Sequence, residues 1–130
     1  MKIRFERGKS KFFKPDEVIP FMVIIEKSED DDYCYFARTI DEAKDFYSQY
    51  LMNNRDQFLD DVSYDLSSFL NVFDFINVSK LAKTLGVNES LMRQYAAGNK
   101  KPSNKQSKRI IDGIREVSKE LLAINLIQNN

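Results

Sequence analysis

The chain has 130 residues, 42% of them apolar, with ten Phe, six Tyr and a formal charge of zero, which allows one modest core or two very small ones and gives no sign of a polyanion partner. Histidine is absent, Cys34 is the single cysteine and there are four glycines, so no disulfide framework, metal site, cofactor or phosphate loop is expected, and the chain is not expected to be an enzyme. It has no apolar run of signal-peptide or membrane length, so a soluble cytoplasmic protein is expected.

The N-terminal part reads as β then α. Lys2 to Arg7 alternates, with Ile3 and Phe5 on one side. Val18 to Lys27 is rich in β-branched and aromatic residues, and Pro20 places its early part at an edge or a strand start. Ser28 to Asp32 is a charged turn, and its acidic residues lack the spaced loop and closing Glu of a cation site. Asp32 to Thr39 alternates Tyr33, Tyr35 and Ala37 against Cys34, Phe36 and Arg38, which completes a hairpin. Cys34 there reads as a small buried hydrophobe rather than a nucleophile.

Thr39-Ile40-Asp41-Glu42 is a capping box. Ala43, Phe46, Tyr47, Tyr50 and Leu51 follow at helical spacing and predict a stripe lying on one face of the hairpin. The aromatic set Phe36, Phe46, Tyr47 and Tyr50 reads as core or dimer contact rather than a platform for single strands. Met52 to Asp65 loses the period and reads as a helical tail fading into a linker.

From Asp65 onward the pattern is all-helical. Asp65 can cap a run with Leu66, Phe69, Leu70 and Phe73 on one face. Asn77 can cap Val78 to Leu85, and Asn88 can cap Glu89 to Ala97 with Gly98 just beyond. Ser103 and Gln106 form a second capping box. It opens a long helix with Ile110, Ile111, Ile114, Val117, Leu121 and Leu122 expected to face inward. The closing LAINLIQNN can continue that helix or form a short strand.

Charge is unevenly divided. Residues 1–64 hold 10 Lys/Arg against 14 Asp/Glu, and residues 65–130 hold 10 against 6. Between Val78 and Arg109 eight cations stand against Glu89 alone, a net +7. The two helical runs in this window meet at a three-residue turn with Gly86, the geometry of a helix-turn-helix. Leu81, Ala82, Leu85, Val87, Met92 and Tyr95 would then face the core. Glu89, Ser90, Arg93 and Gln94 would face outward near the start of the second helix, where Arg can bind guanine and Gln adenine bidentately. Lys80, Lys100, Lys101, Lys105 and Lys108 would flank them and neutralise phosphates. The rival reading is a plain αα-hairpin with a solvated basic face.

FINVSKLAKTLGVNESLMRQYAAGNKKPS resembles the helix-turn-helix of the Cro/repressor (XRE-type) superfamily, through L-A-x-x-L-G-V, then Y-x-x-G, then P-S. Val78 stands where that family usually has Gln. The resemblance implies a lambda-repressor-like domain over residues 65–130, with base contacts from Asn88, Glu89, Ser90, Arg93 and Gln94. FMVIIEKSEDDDYCYFARTIDEAKDFYSQYL looks like the HicB-type antitoxin fold, through its V-I-I-E-K strand, acidic turn, aromatic strand and T-x-x-E-A helix. The family's third strand has no room between Thr39 and Asp41, and the N-terminal MKIRFERGKSKFF would substitute for it. That resemblance implies a dimerisation or partner-binding module over residues 1–64.

The expected protein is α+β: a small β-hairpin or sheet plus helix, followed by an all-α helix-turn-helix domain. The expected function is sequence-specific binding of double-stranded DNA as a transcriptional regulator, with recognition helix 88–97 and a homodimer on two half-sites. The alternative is an antitoxin-like or adaptor protein whose N-terminal module masks a small toxin-like partner.

Overall fold

The computed structural model describes residues 2–28, 31–53 and 61–128, and in them the chain is α+β, with a four-stranded mixed sheet and five α-helices. β1 (Lys2–Arg7) and β3 (Asp31–Ala37) follow the alternating stretches, and β2 (Phe21–Ser28) follows the β-branched and aromatic one but begins after Pro20 rather than at Val18; Ser28 and Asp31 of the expected turn belong to the strands. The sheet order is β3-β2-β1-β4, with β1 antiparallel to β2 and β2 antiparallel to β3. Register brings Ile3 opposite Ile25, Phe5 opposite Val23 and Phe21 opposite Ala37, so one face is continuously apolar. A short 3-10 turn at Ser10–Phe12 lies between β1 and β2.

Helix α1 (Ile40–Asn53) covers that face. The Thr39 hydroxyl accepts from the Glu42 amide at 3.2 Å, while the Glu42 carboxylate reaches one residue further back, to the Arg38 amide. Phe46 stacks on Tyr35 with ring centroids 4.2 Å apart, and Tyr47 meets Phe5 edge-on. Ile3, Val23, Ile25 and Ala43 are sealed beneath them.

The expected linker contains a strand. β4 (Asp61–Tyr64) pairs parallel with β1, placing Val62 beside Ile3 and Tyr64 beside Phe5. Four residues are too few to announce a period of two, and the partner strand lies some sixty positions away in sequence. The remainder of the expected linker, residues 54–60, lies outside the described residues, as do Glu29 and Asp30 of the acidic turn. The side chain of Leu51, expected in the α1 stripe, is also outside them.

The other sheet face is open. Arg4 sits there between Glu26 at 3.2 Å and Glu6 at 3.8 Å. Cys34 is exposed and Phe36 is 64% exposed, so neither is a core residue. Alternation assigned them to the face opposite Tyr35; α1 covers the Tyr35 face alone, and they remain in solvent. Partial desolvation by its strand neighbours, and then the nearby Glu6, push the Cys34 thiol above its ordinary pKa even at this exposed position, which lowers its thiolate fraction.

Four helices follow: α2 (Leu66–Val72), α3 (Val78–Leu85), α4 (Glu89–Ala97) and α5 (Asn104–Leu122). Each begins at the expected cap: Asp65, Asn77, Asn88 and Ser103 accept from the amides of Ser68, Lys80, Leu91 and Gln106. Leu70, Ala82, Val87, Met92, Tyr95 and Ile110 form a second core. Tyr64 connects the two cores, stacked on Phe5 and edge-on to Phe69 and Phe73. Close packing of α5 on α3 depends on Gly113, where a Cβ would lie 2.5 Å from Leu85 Cδ2.

The far half of α5 departs from expectation. Ile110 is buried and Ile114 and Val117 are half-buried, yet Ile111 is 44%, Leu121 63% and Leu122 87% exposed. Helical spacing identifies one apolar stripe but not how far along the helix a neighbour accompanies it. Residues 124–128 continue as neither helix nor strand. No described helix is long and apolar enough to cross a membrane.

Asp65 joins the sheet to the helices. One carboxylate oxygen caps α2 through the Ser68 amide at 2.9 Å, and the other accepts from the Arg7 amide at 2.7 Å. Its own amide continues the ladder to the Phe5 carbonyl. Asp65→Ala removes a cap and a charge-assisted bond together and should lower unfolding free energy by about 2–3 kcal/mol. Asp65→Asn preserves the cap and should lose clearly less. Urea denaturation of both variants checks this; equal losses would contradict the double role.

Candidate nucleic-acid interface

The stretch between α3 and α4 is held by backbone chemistry. Gly86 adopts φ 68°, the left-handed region, and the Val87 amide donates to the Ala82 carbonyl at 2.9 Å. From α5, Arg109 donates to the Gly86 carbonyl at 2.9 Å. The C-terminal end of α4 is closed in the same manner. Gly98 has φ 79°, and the Asn99 amide returns to the Gln94 carbonyl at 3.0 Å.

α2 secures the same end from the side. The Ser67 hydroxyl and the Asn71 amide both donate to the Ala96 carbonyl at 2.9 Å, satisfying an acceptor that the helix end would otherwise orphan. Ser67 also accepts from the Arg7 guanidinium at 3.4 Å. Arg7 itself donates to the Ile19 carbonyl at 2.9 Å and lies 4.0 Å over the Phe21 ring. Burial lowers its pKa from the ordinary value and the Asp65 carboxylate opposes that shift, but an arginine so placed remains a cation. The orientation of α4 on the sheet therefore passes through Arg7, Ser67 and Ala96.

On α4, Ser90 and Arg93 are exposed and Gln94 is half-buried. The Arg93 guanidinium donates to the Ser79 hydroxyl in the first turn of α3 at 3.1 Å, which leaves further N–H groups for a ligand. Glu89 is half-buried and stands 3.3 Å from the ammonium of the exposed Lys83, a pair within the chain that a base-reading role would have to break. Asn88 is exposed, but its side-chain oxygen is occupied by the Leu91 amide.

The cations fall into two sets. Lys80, Lys100 and Lys105 are exposed, and their ammonium groups contact no carboxylate among the described residues. Lys108 is exposed beside Asp112 at 3.7 Å, a pairing of little strength at such a surface. Lys101 has a structural engagement: its ammonium donates to the Arg7 carbonyl at 3.3 Å and stands 4.0 Å from Asp65. Arg109 is likewise committed to the turn. Neither tie was visible in sequence, because both partners lie far along the chain. Among the described residues no cluster of three or more His, Cys, Asp or Glu is placed to hold a metal.

Comparison with models of protein families, with curated proteins and with solved structures gave no match.

The two left-handed glycines allow a direct test of the α4 anchorage. A Cβ at Gly98 would lie 2.9 Å from Arg7 Cγ, whereas one at Gly86 meets only the Arg109 guanidinium at 3.4 Å. Both Gly→Ala changes bear about 1–2 kcal/mol of backbone strain. Gly98→Ala should cost more, read as a lower urea midpoint than Gly86→Ala. Equal midpoints would show that Arg7 does not buttress this helix end.

Proposed function

We propose that this protein is a sequence-specific double-stranded DNA-binding regulator that acts as a homodimer. In this reading α3 and α4 form a lambda-repressor-like helix-turn-helix, with residues 65–130 as the DNA-binding part and residues 1–64 as a dimerisation or partner-binding module. The observation that carries it is the combination of exposed Ser90 and Arg93 on a firmly anchored α4 with Lys80, Lys100 and Lys105, which meet no carboxylate among the described residues. α4 enters the major groove, where Arg93 reads a guanine edge and Ser90 and Gln94 supplement it. The lysines neutralise phosphates and set the register.

Glu89 and Asn88 contribute less in this reading than sequence position alone implies, since each is bonded within the chain. Lys101 holds the junction rather than a phosphate. One small helix reads few bases. A twofold dimer on half-sites about 34 Å apart supplies the remaining affinity.

The test is fluorescence anisotropy against a duplex selected from a random library, with a scrambled duplex alongside. Arg93→Ala should weaken the selected duplex by roughly 10- to 100-fold and spare the scrambled one. Lys100→Ala should weaken both and reduce the salt slope by about one. A chain that selects no duplex, or an Arg93→Ala variant that retains full discrimination, would refute the reading.

One observation favours a second role. The open sheet face exposes Phe36 and Cys34 beside half-buried Met22 and Ile24. It suits an apolar protein partner, such as a small toxin-like protein masked by an antitoxin-like or adaptor module. Phe36→Asp would then break co-purification with the product of an adjacent gene and leave duplex binding intact.

A further inference from the structure

A cleft of about 450 Å³ opens beside the first half of α5, walled by Tyr64, Phe69, Tyr95, Ile110, Ile111 and Ile114. Its floor is apolar, and its exposed rim is Ile111 together with Lys100, Lys101 and Arg115. The second half of α5 projects beyond the cores, with Leu121 and Leu122 bare, and the segment after it exposes Ile124 by 56%, Leu126 by 83% and Ile127 by 93%. Residues 121–128 carry no charge at all. An exposed apolar set of this kind marks an interaction surface.

We propose that a second copy of this chain fills the cleft, and that two copies exchange their 121–127 segments. Knob and socket are both present on one chain, and the folded monomer leaves the knob in solvent. Ile111 and Leu122 are eleven residues apart, close to three helical turns, so they share a stripe and lie about 16 Å apart. Ser118 lies between them on that stripe, and exposed Arg115 lies at its edge, where its long side chain can keep the guanidinium in solvent. Its hydroxyl donates to the Ile114 carbonyl at 2.8 Å, so covering it orphans no donor.

Two α5 helices running antiparallel about a twofold axis between Glu116 and Val117 put Leu122 of each copy over Ile111 of the other. Ile124, Leu126 and Ile127 then continue across the cleft. The contact is self-complementary and closes at two copies. Ile111, Leu121, Leu122, Ile124, Leu126 and Ile127 supply the apolar centre that an interface of about 800 Å² per partner needs. This inference deepens the dimer of the proposed function, places its contact at α5 and residues 121–127 and leaves residues 1–64 the partner-binding role, and stands without the DNA part.

Sedimentation equilibrium on the full chain tests it. The unmodified chain should be a dimer, and Leu126→Asp with Ile127→Asp should raise the dimer dissociation constant at least about 100-fold. Both side chains are exposed in the monomer, so its far-UV circular dichroism should not change. A chain with Cys34→Ser, Ile111→Cys and Leu122→Cys should oxidise to a disulfide-linked dimer, because the register brings these two positions together only between copies. A monomeric chain, a dimer indifferent to the two aspartates, or a disulfide closed within one chain would each overturn the exchange. Duplex anisotropy on the same samples separates the two ideas: a dimer that selects no DNA sinks the DNA reading alone.

Discussion

Asp65 determines how the helices sit on the sheet. Its two oxygens serve different elements: one starts α2, and the other binds the last residue of β1. Its amide extends the parallel ladder of β1 and β4. The carboxylate also draws in Lys101, whose ammonium reaches the Arg7 carbonyl. Strand end, helix start and the segment after α4 are thus fixed at one residue. Such a charged centre survives in a half-buried setting because hydrogen bonds answer both of its oxygens.

The consequence is carried outward through short, directional contacts. Arg7 reaches Ser67, Ser67 and Asn71 hold the Ala96 carbonyl, and α4 is thereby held at its C-terminal end. Arg109 holds the turn that precedes α4. A helix restrained at both ends presents Ser90 and Arg93 in a defined direction, which direct recognition of a base edge requires. Charge sharpens the effect. The basic excess lies in residues 65–130, and in the proposed function it draws a polyanion toward the helices.

Local chemistry was legible in sequence and long-range chemistry was not. Asp65, Asn77, Asn88 and Ser103 announce the helix starts because a cap and its amide lie within three residues. Gly86 and Gly98 are legible for the same reason, since a left-handed turn is a property of one residue. β4 was hidden because four residues hold no clear period and their partner is β1. Alternation placed Cys34 and Phe36 opposite Tyr35, but which face α1 covers is a tertiary fact. The stripe on α5 was legible as a stripe, while how much of it a neighbouring helix covers is a tertiary fact. In the candidate interface, the outward positions Ser90 and Arg93 followed from helical spacing. The diversion of Lys101 to the Arg7 carbonyl and of Glu89 to Lys83 did not.

In the proposed function a duplex meets the protein on α4 and its flanking lysines. Amide-resolved NMR during titration with a selected duplex tests that contact residue by residue. The largest shifts should fall on Ser90, Arg93, Gln94 and Lys100, with smaller ones at Lys80 and Lys105 and none on the open sheet face. Shifts concentrated on β2 and β3, with α4 silent, would contradict it.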